Sequence, residues 1–164
     1  IIYLFVLTMA IYFSASSYYF TGDDFTWFRW VADSRPSLFT AIYDFVQSDG
    51  FFYRPGTKIY FSLMYSLFWL NQSVYHFGSF LLHFGVAALL FLLSKRIFKN
   101  YFLAVVTAFL FVILSGYQEE IFWVSSTGHL FNAFFILLGI LSFALWKHSR
   151  RNWNVDHRTN IFIY

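Results

Sequence analysis

The sequence contains no cysteine, which excludes disulfides and thiolate chemistry and gives no reading of redox compartment. It is also poor in charge: 12% of its residues are Asp, Glu, Lys or Arg, against roughly 25% in soluble domains. The net charge of +3 is too small to point to nucleic acid, so the placement of charge matters more than its total. Residues 1–20 carry none at all. Of the two prolines, Pro36 can open a helix after Ser34 and Arg35, and Pro55 sits in the turn Arg54-Pro55-Gly56. There is no internal repeat, and the only compositional bias is aromatic.

What the chain does have is apolar bulk. Hydrophobic residues make up 59% of its 164 positions, the mean hydropathy is +0.58, and there are 25 Phe, 12 Tyr and 6 Trp. This is the composition of an integral membrane protein whose rings fill helix packing and the interfacial belts. The expected fold is all-α and polytopic, a single membrane domain over residues 1–164 with four spans at about 1–20, 74–94, 101–115 and 121–146. At about 1.5 Å per residue, twenty residues match a hydrocarbon core of about 30 Å. The first run lacks a small-residue cleavage site and reads as a retained anchor. A start at Ile1 and a last apolar run, Ile161 to Tyr164, suggest the N-terminal part of a longer chain.

Between the first two spans, residues 21–73 form an expected loop of interfacial amphipathic helices. Leu38, Phe39, Ile42, Tyr43 and Val46 recur at helical spacing before Gly50, and Ile59 to Leu70 is too short to cross comfortably. Charge fixes the orientation. With Asp23 outside, Lys and Arg divide seven inside (Lys95, Arg96, Lys99, Lys147, Arg150, Arg151, Arg158) to four outside. Counting 59–70 as a full span would put Lys95 to Lys99 on the same side as Asp23.

Four groups can carry chemistry. Asp23 and Asp24 stand where the first span meets water, suited to taking a proton from a hydroxyl or holding a divalent cation; the alternative is a helix start whose acid caps backbone amides. Neighbours in sequence do not share a helix face, so at most one acts directly on a substrate. Arg54 and Lys58 are outward cations suited to the phosphate of a lipid, or else to pairing with Asp44 and Asp49. His76 and His83, seven residues apart, favour interhelical hydrogen bonds over a metal site, which would need further ligands. Finally, Glu119 and Glu120 return to the Asp23 side, followed by Ser125, Ser126, Thr127, His129 and Asn132 inside a span, which reads as a loop or as a pocket wall.

The outward Asp23-Asp24, then Tyr53-Arg54-Pro55, then Tyr75-His76 with His83, then Glu120 ahead of Trp123-Val124-Ser125, resembles the start of the C-type membrane glycosyltransferases. The nearest likeness is to the protein O-mannosyltransferases and the membrane mannosyltransferases with tetratricopeptide repeats. Gly56 stands where that branch has Leu, and Ser79 where it has Asn. The resemblance implies transfer of a sugar from a polyprenyl-phosphate carrier to a protein, lipid or glycan acceptor on the non-cytoplasmic face of a plasma or endoplasmic-reticulum membrane. By matching, Asp23 is the catalytic base with Asp24 beside it, Arg54 and Lys58 bind the carrier phosphate, and Glu120 and His129 are pocket residues. A divalent metal is left open, since some members use one. The competing reading is a non-enzymatic, aromatic-rich subunit that packs in a larger membrane complex through faces such as that of Phe102 and Phe109. A transporter ranks below both, because its acids would be expected near the midplane.

Overall fold

The computed structural model describes residues 1–33, 43, 54–114 and 119–161, excepting the side chains of residues 148 and 151–161. The described chain is all-helical and contains no strand. Helix α1, Ile2–Tyr12, continues as a 3₁₀ turn, Phe13–Ser17. Helix α2 is Asp24–Asp33, α3 is Pro55–Phe68 and α4 is Gln72–Phe98. Helix α5 is Tyr101–Ile113 and α6 is the single turn Glu119–Phe122. After a 3₁₀ turn, Val124–Ser126, helix α7 runs through Thr127–Ile161.

The centre is α4, which α1, α5 and α7 flank. Phe5 meets Phe84 edge-on at 5.2 Å while Ser73 donates to the Ser16 carbonyl, so α1 and α4 run in opposite directions. By contrast, His76 reaches the Ile121 carbonyl at one end and Arg96 donates to the Ala144 carbonyl at the other, so α4 and α7 run the same way. Helix α5 returns antiparallel to α4 and packs against α4 and α1. The reversal is built locally: Lys99 turns the chain at φ +52°, its N–H closing on the Lys95 carbonyl, and the Asn100 side chain accepts from the Phe102 and Leu103 amides. Lys95 and Arg96 in the last turn also suit the negative end of the α4 dipole.

Packing uses small residues at the crossings. Ala104, Ala108 and Val112 face inward at i, i+4 and i+8 along α5, and join Tyr12, Ala15, Phe80, Ala87 and Ile121 in one core. A second core is almost wholly aromatic. Tyr75 is fully buried and takes Phe20, Phe28 and Tyr60 edge-on around it, an arrangement that places ring edges on ring faces.

Gly78 is essential to that second core. A Cβ there would lie 2.6 Å from the Tyr60 hydroxyl, which donates to the Tyr75 carbonyl. Gly78→Ala gains helix propensity but must displace a buried ring and its hydrogen bond. We expect a net loss of about 1–3 kcal/mol, measured as a lower thermal midpoint of the detergent-purified protein.

Among the described residues, two helices are long and apolar enough to cross a membrane: Gln72–Phe98 and Val124–Lys147. The structure thus supports two of the four expected spans, the second and the last, by length and composition. Ile2–Ser17 and Tyr101–Ile113 are apolar but shorter, at about 24 and 20 Å against a core of about 30 Å. The difference at the first run comes from Tyr18, where the backbone turns extended at ψ 139° and ends the helix before Phe20. The expected interfacial run is a 14-residue helix, α3, that ends at Trp69 with φ +53°. The amphipathic segment around Leu38 to Val46 lies outside the described residues except for Tyr43, which is helical and exposed. Tyr53, Asp44, Asp49 and the 115–118 loop also lie outside them.

Candidate functional site

At the end of the bundle where α4 and α7 begin, a cavity of about 220 Å³ opens between α2, α3 and the turn leading into α7. Asp23, just before α2, and Thr26, Trp27 and Trp30 on it line one side, spaced 3, 1 and 3 residues apart and thus along one helix face. Arg54, the cap residue of α3, and Lys58 on that helix follow, one turn apart. From the other side come Trp123, Ser125, Ser126 and His129.

The face opposite Asp23 on α2 decides between the two acids. Asp24, Phe28 and Val31 are its buried residues, so the carboxyl of Asp24 points into the protein while Asp23 stays exposed at the cavity. Asp24 is 1% exposed. Its Oδ2 accepts from the Thr21 amide at 3.0 Å, closing the turn that precedes α2. Its Oδ1 accepts from the Ser125 amide at 2.7 Å, across 101 positions. One carboxylate therefore holds the Asp23 turn against the Ser125 wall. Gly22, at φ +53°, supplies the left-handed turn that brings the two acids to the helix start.

Of the sequence-derived candidates, Asp23, Arg54, Lys58 and His129 line the one cavity, and Asp24 lies behind it. Glu120 does not line it. That residue sits on α6, half-buried, with Oε2 buried and lacking a hydrogen-bond partner. Burial pushes its carboxyl above the ordinary 4.5; Glu119 adds to this, while a backbone hydrogen bond and His129 oppose it.

His76 links α4 to both neighbours, with Nδ1 2.9 Å from the Ile121 carbonyl and Nε2 3.1 Å from that of Tyr18. A neutral ring donates to only one of these at a time. His83 instead stacks on Phe111 at 4.6 Å and meets the Tyr12 ring edge-on, with neither nitrogen hydrogen-bonded. Among the described residues no three His, Asp or Glu gather to share an ion.

Close backbone approaches shape the cavity. A Cβ on Gly128 would fall 2.7 Å from Thr57 Oγ1 and 3.7 Å from Arg54 Cδ; one on Gly56 would touch Phe131 at 3.4 Å. The glycine after Arg54-Pro55 thus lets α3 lie against α7. Sequence reasoning did not single out Trp27, Trp30 and Trp123 as lining residues. The first two were legible as the positions four and seven beyond Asp23; Trp123 depends on tertiary packing.

Burial raises the Asp24 carboxyl above its ordinary 3.8, against opposing hydrogen bonds from Thr21 and Ser125 and the charge of His76. A folded state that holds its proton more tightly than the unfolded chain loses stability as pH rises from the unfolded value through the raised folded one. Glu120 acts in the same sense. The thermal midpoint should therefore fall as pH rises from about 4 through both raised values, and Asp24→Asn with Glu120→Gln should flatten that slope.

No protein-family model, no curated protein and no solved structure matches the chain.

Proposed function

We propose that this protein is a membrane glycosyltransferase, or the part of one that holds its catalytic base, acting on a polyprenyl-phosphate-linked sugar at the non-cytoplasmic face. The observation that carries the proposal is the cavity that brings together Asp23, Arg54, Lys58 and His129. An exposed carboxylate beside two cations suits the reaction. Asp23 takes the proton of the acceptor hydroxyl as that oxygen bonds to the anomeric carbon. The bond from that carbon to the phosphate oxygen breaks, and its electron pair leaves on the phosphate, whose charge Arg54 and Lys58 offset.

The position of the cavity is favourable, because it is lined by the first residues of Val124–Lys147, one of the helices able to cross a membrane. A lipid carrier lying in the bilayer would reach it from the side. In this reading α1 and α5, antiparallel to α4, also traverse the membrane with local thinning or snorkelling flanks, and Lys95, Arg96, Lys99, Lys147 and Arg150 mark the cytoplasmic side.

The test is a transfer assay on the complete protein with a polyprenyl-phosphate hexose donor, comparing wild type with Asp23→Asn and measuring carrier phosphate released. Transfer undiminished by that change would remove the role given to Asp23. The packing-subunit reading draws on the exposed rings of Phe102 and Phe109; it expects Asp23→Asn to change nothing and Phe102→Ser with Phe109→Ser to disrupt assembly.

A further inference from the structure

The three indoles in the cavity are not needed by the acid and phosphate chemistry, and half of the chain's six Trp converge there. Trp27 and Trp30 meet at 6.4 Å and 77°, a near-perpendicular corner. One face of Trp27 is covered by Phe61, stacked at 5.8 Å and 23°. One face of Trp30 is covered by Lys58, whose Nζ is 5.0 Å from the ring centroid. Protein groups thus fix both indoles from one side, and both rings still line the cavity. Such a corner is set before any ligand arrives, which reduces the ordering cost of binding.

Its chemistry narrows the ligand. Among the described residues that line it, Arg54 and Lys58 are cations and Asp23 a carboxylate, a lining that suits a ligand with an anionic group. At about 220 Å³ the cavity is below the roughly 300–1,000 Å³ of drug-sized sites, which suits one ring with its substituents. The other wall, Ser125, Ser126 and His129, offers groups that both donate and accept hydrogen bonds. An uncharged ring with C–H groups on its face and hydroxyls at its edge matches both walls, since electron-rich indole faces attract weakly positive C–H groups.

We infer that Trp27 and Trp30 form the sugar-reading wall of the cavity, which takes a single pyranose bearing a phosphate ester, its ring against the indoles and its phosphate toward Arg54 and Lys58. The inference rests on the transferase reading and deepens it: this cavity holds the donor's sugar, and the two indoles determine discrimination between a glycosylated and a bare phosphate. Lys58 serves twice, fixing Trp30 and facing the anion.

Calorimetric titration of the purified complete protein in detergent, with hexose 1-phosphates, inorganic phosphate and choline phosphate in turn, tests this. Wild type should bind at least one hexose 1-phosphate about tenfold more tightly than inorganic phosphate. Trp27→Leu and Trp30→Leu should each erase most of that preference, weakening hexose 1-phosphate binding severalfold more than inorganic phosphate binding. Trp30→Phe, which keeps a ring, should retain part of the preference and guards against a folding defect, as does an unchanged thermal midpoint.

Equal preference in wild type and both Leu variants would overturn the inference, and so would choline phosphate binding as tightly as any hexose phosphate, which would mark a cage for quaternary ammonium. Sugar preference without any transfer activity would sink the transferase reading alone. Transfer with a Trp-independent preference would sink this inference alone.

Discussion

Asp23→Asn is expected to lower sugar transfer by about 10²–10⁴-fold, the range attributable to one positioned general base. The fold should not change, because Asp23 is exposed at the cavity and contributes a helix-start carbonyl, bonded by the Trp27 amide at 3.1 Å, that Asn retains. The measurement is the single-turnover rate with saturating donor, alongside an unchanged thermal midpoint. A variant that keeps its rate would place the base elsewhere. Arg54→Gln provides the contrast: a group that holds phosphate in both ground and transition states should raise KM as well as lower kcat.

The second large effect is on structure. Asp24→Ala removes the acceptor for two backbone amides, Thr21 at 3.0 Å and Ser125 at 2.7 Å. A buried donor left unpaired costs about 1–3 kcal/mol, so the loss should be about 2–4 kcal/mol, since the Thr21 amide is only part-buried. Asp24→Asn retains one good acceptor and should cost less than half as much. Because the Ser125 bond spans the chain, the Ala variant should also loosen the cavity: hydrogen exchange at Ser125 should rise by orders of magnitude more than at Leu103, which sits at the far end of the bundle. Equal exchange at Ser125 in variant and wild type would refute the clasp.

These two residues show how a pair of identical neighbours divides. In the sequence, Asp23-Asp24 has two readings, base or cap, and the rule that neighbours do not share a helix face allows both at once. The structure assigns each acid its own surroundings. Asp24 shares the buried stripe of Phe28 and Val31, and Asp23 shares the cavity stripe of Thr26, Trp27 and Trp30. The periodicity that separates them was present in the residues; which stripe faced the core was not, because it depends on α3 and on the turn at Val124–Ser126 packing against α2.

The first expected span is shorter than its apolar run for a related reason. An apolar run measures what a segment can bury, and residues 1–20 have the composition of a span. The helix stops short because the chain after Ser17 turns extended, where its Tyr18 carbonyl faces His76 from α4. Aromatic residues read as headgroup anchors are partly core: Phe20 lies against Phe28 and Tyr75. Glu120 illustrates the converse, since its sequence position beside a polar span start suggested a pocket, and it sits on α6 outside the lining of this cavity.

Composition alone determined the helical, apolar character of this protein, because charge so sparse and aromatic content so high leave few ways to satisfy a backbone except helices packed on rings. The Lys and Arg pattern grouped Lys95 and Arg96 with Lys147, and in the fold Arg96 donates to the Ala144 carbonyl near that end of α7. Only tertiary structure decided that Arg54, Lys58 and His129 join Asp23 while Glu120 does not. Those residues come from three separated segments, and their meeting depends on close approaches at Gly56 and Gly128 and on one carboxylate, Asp24, bonded across 101 positions. No local pattern encodes such contacts, because their free energy arises only when the segments are already together.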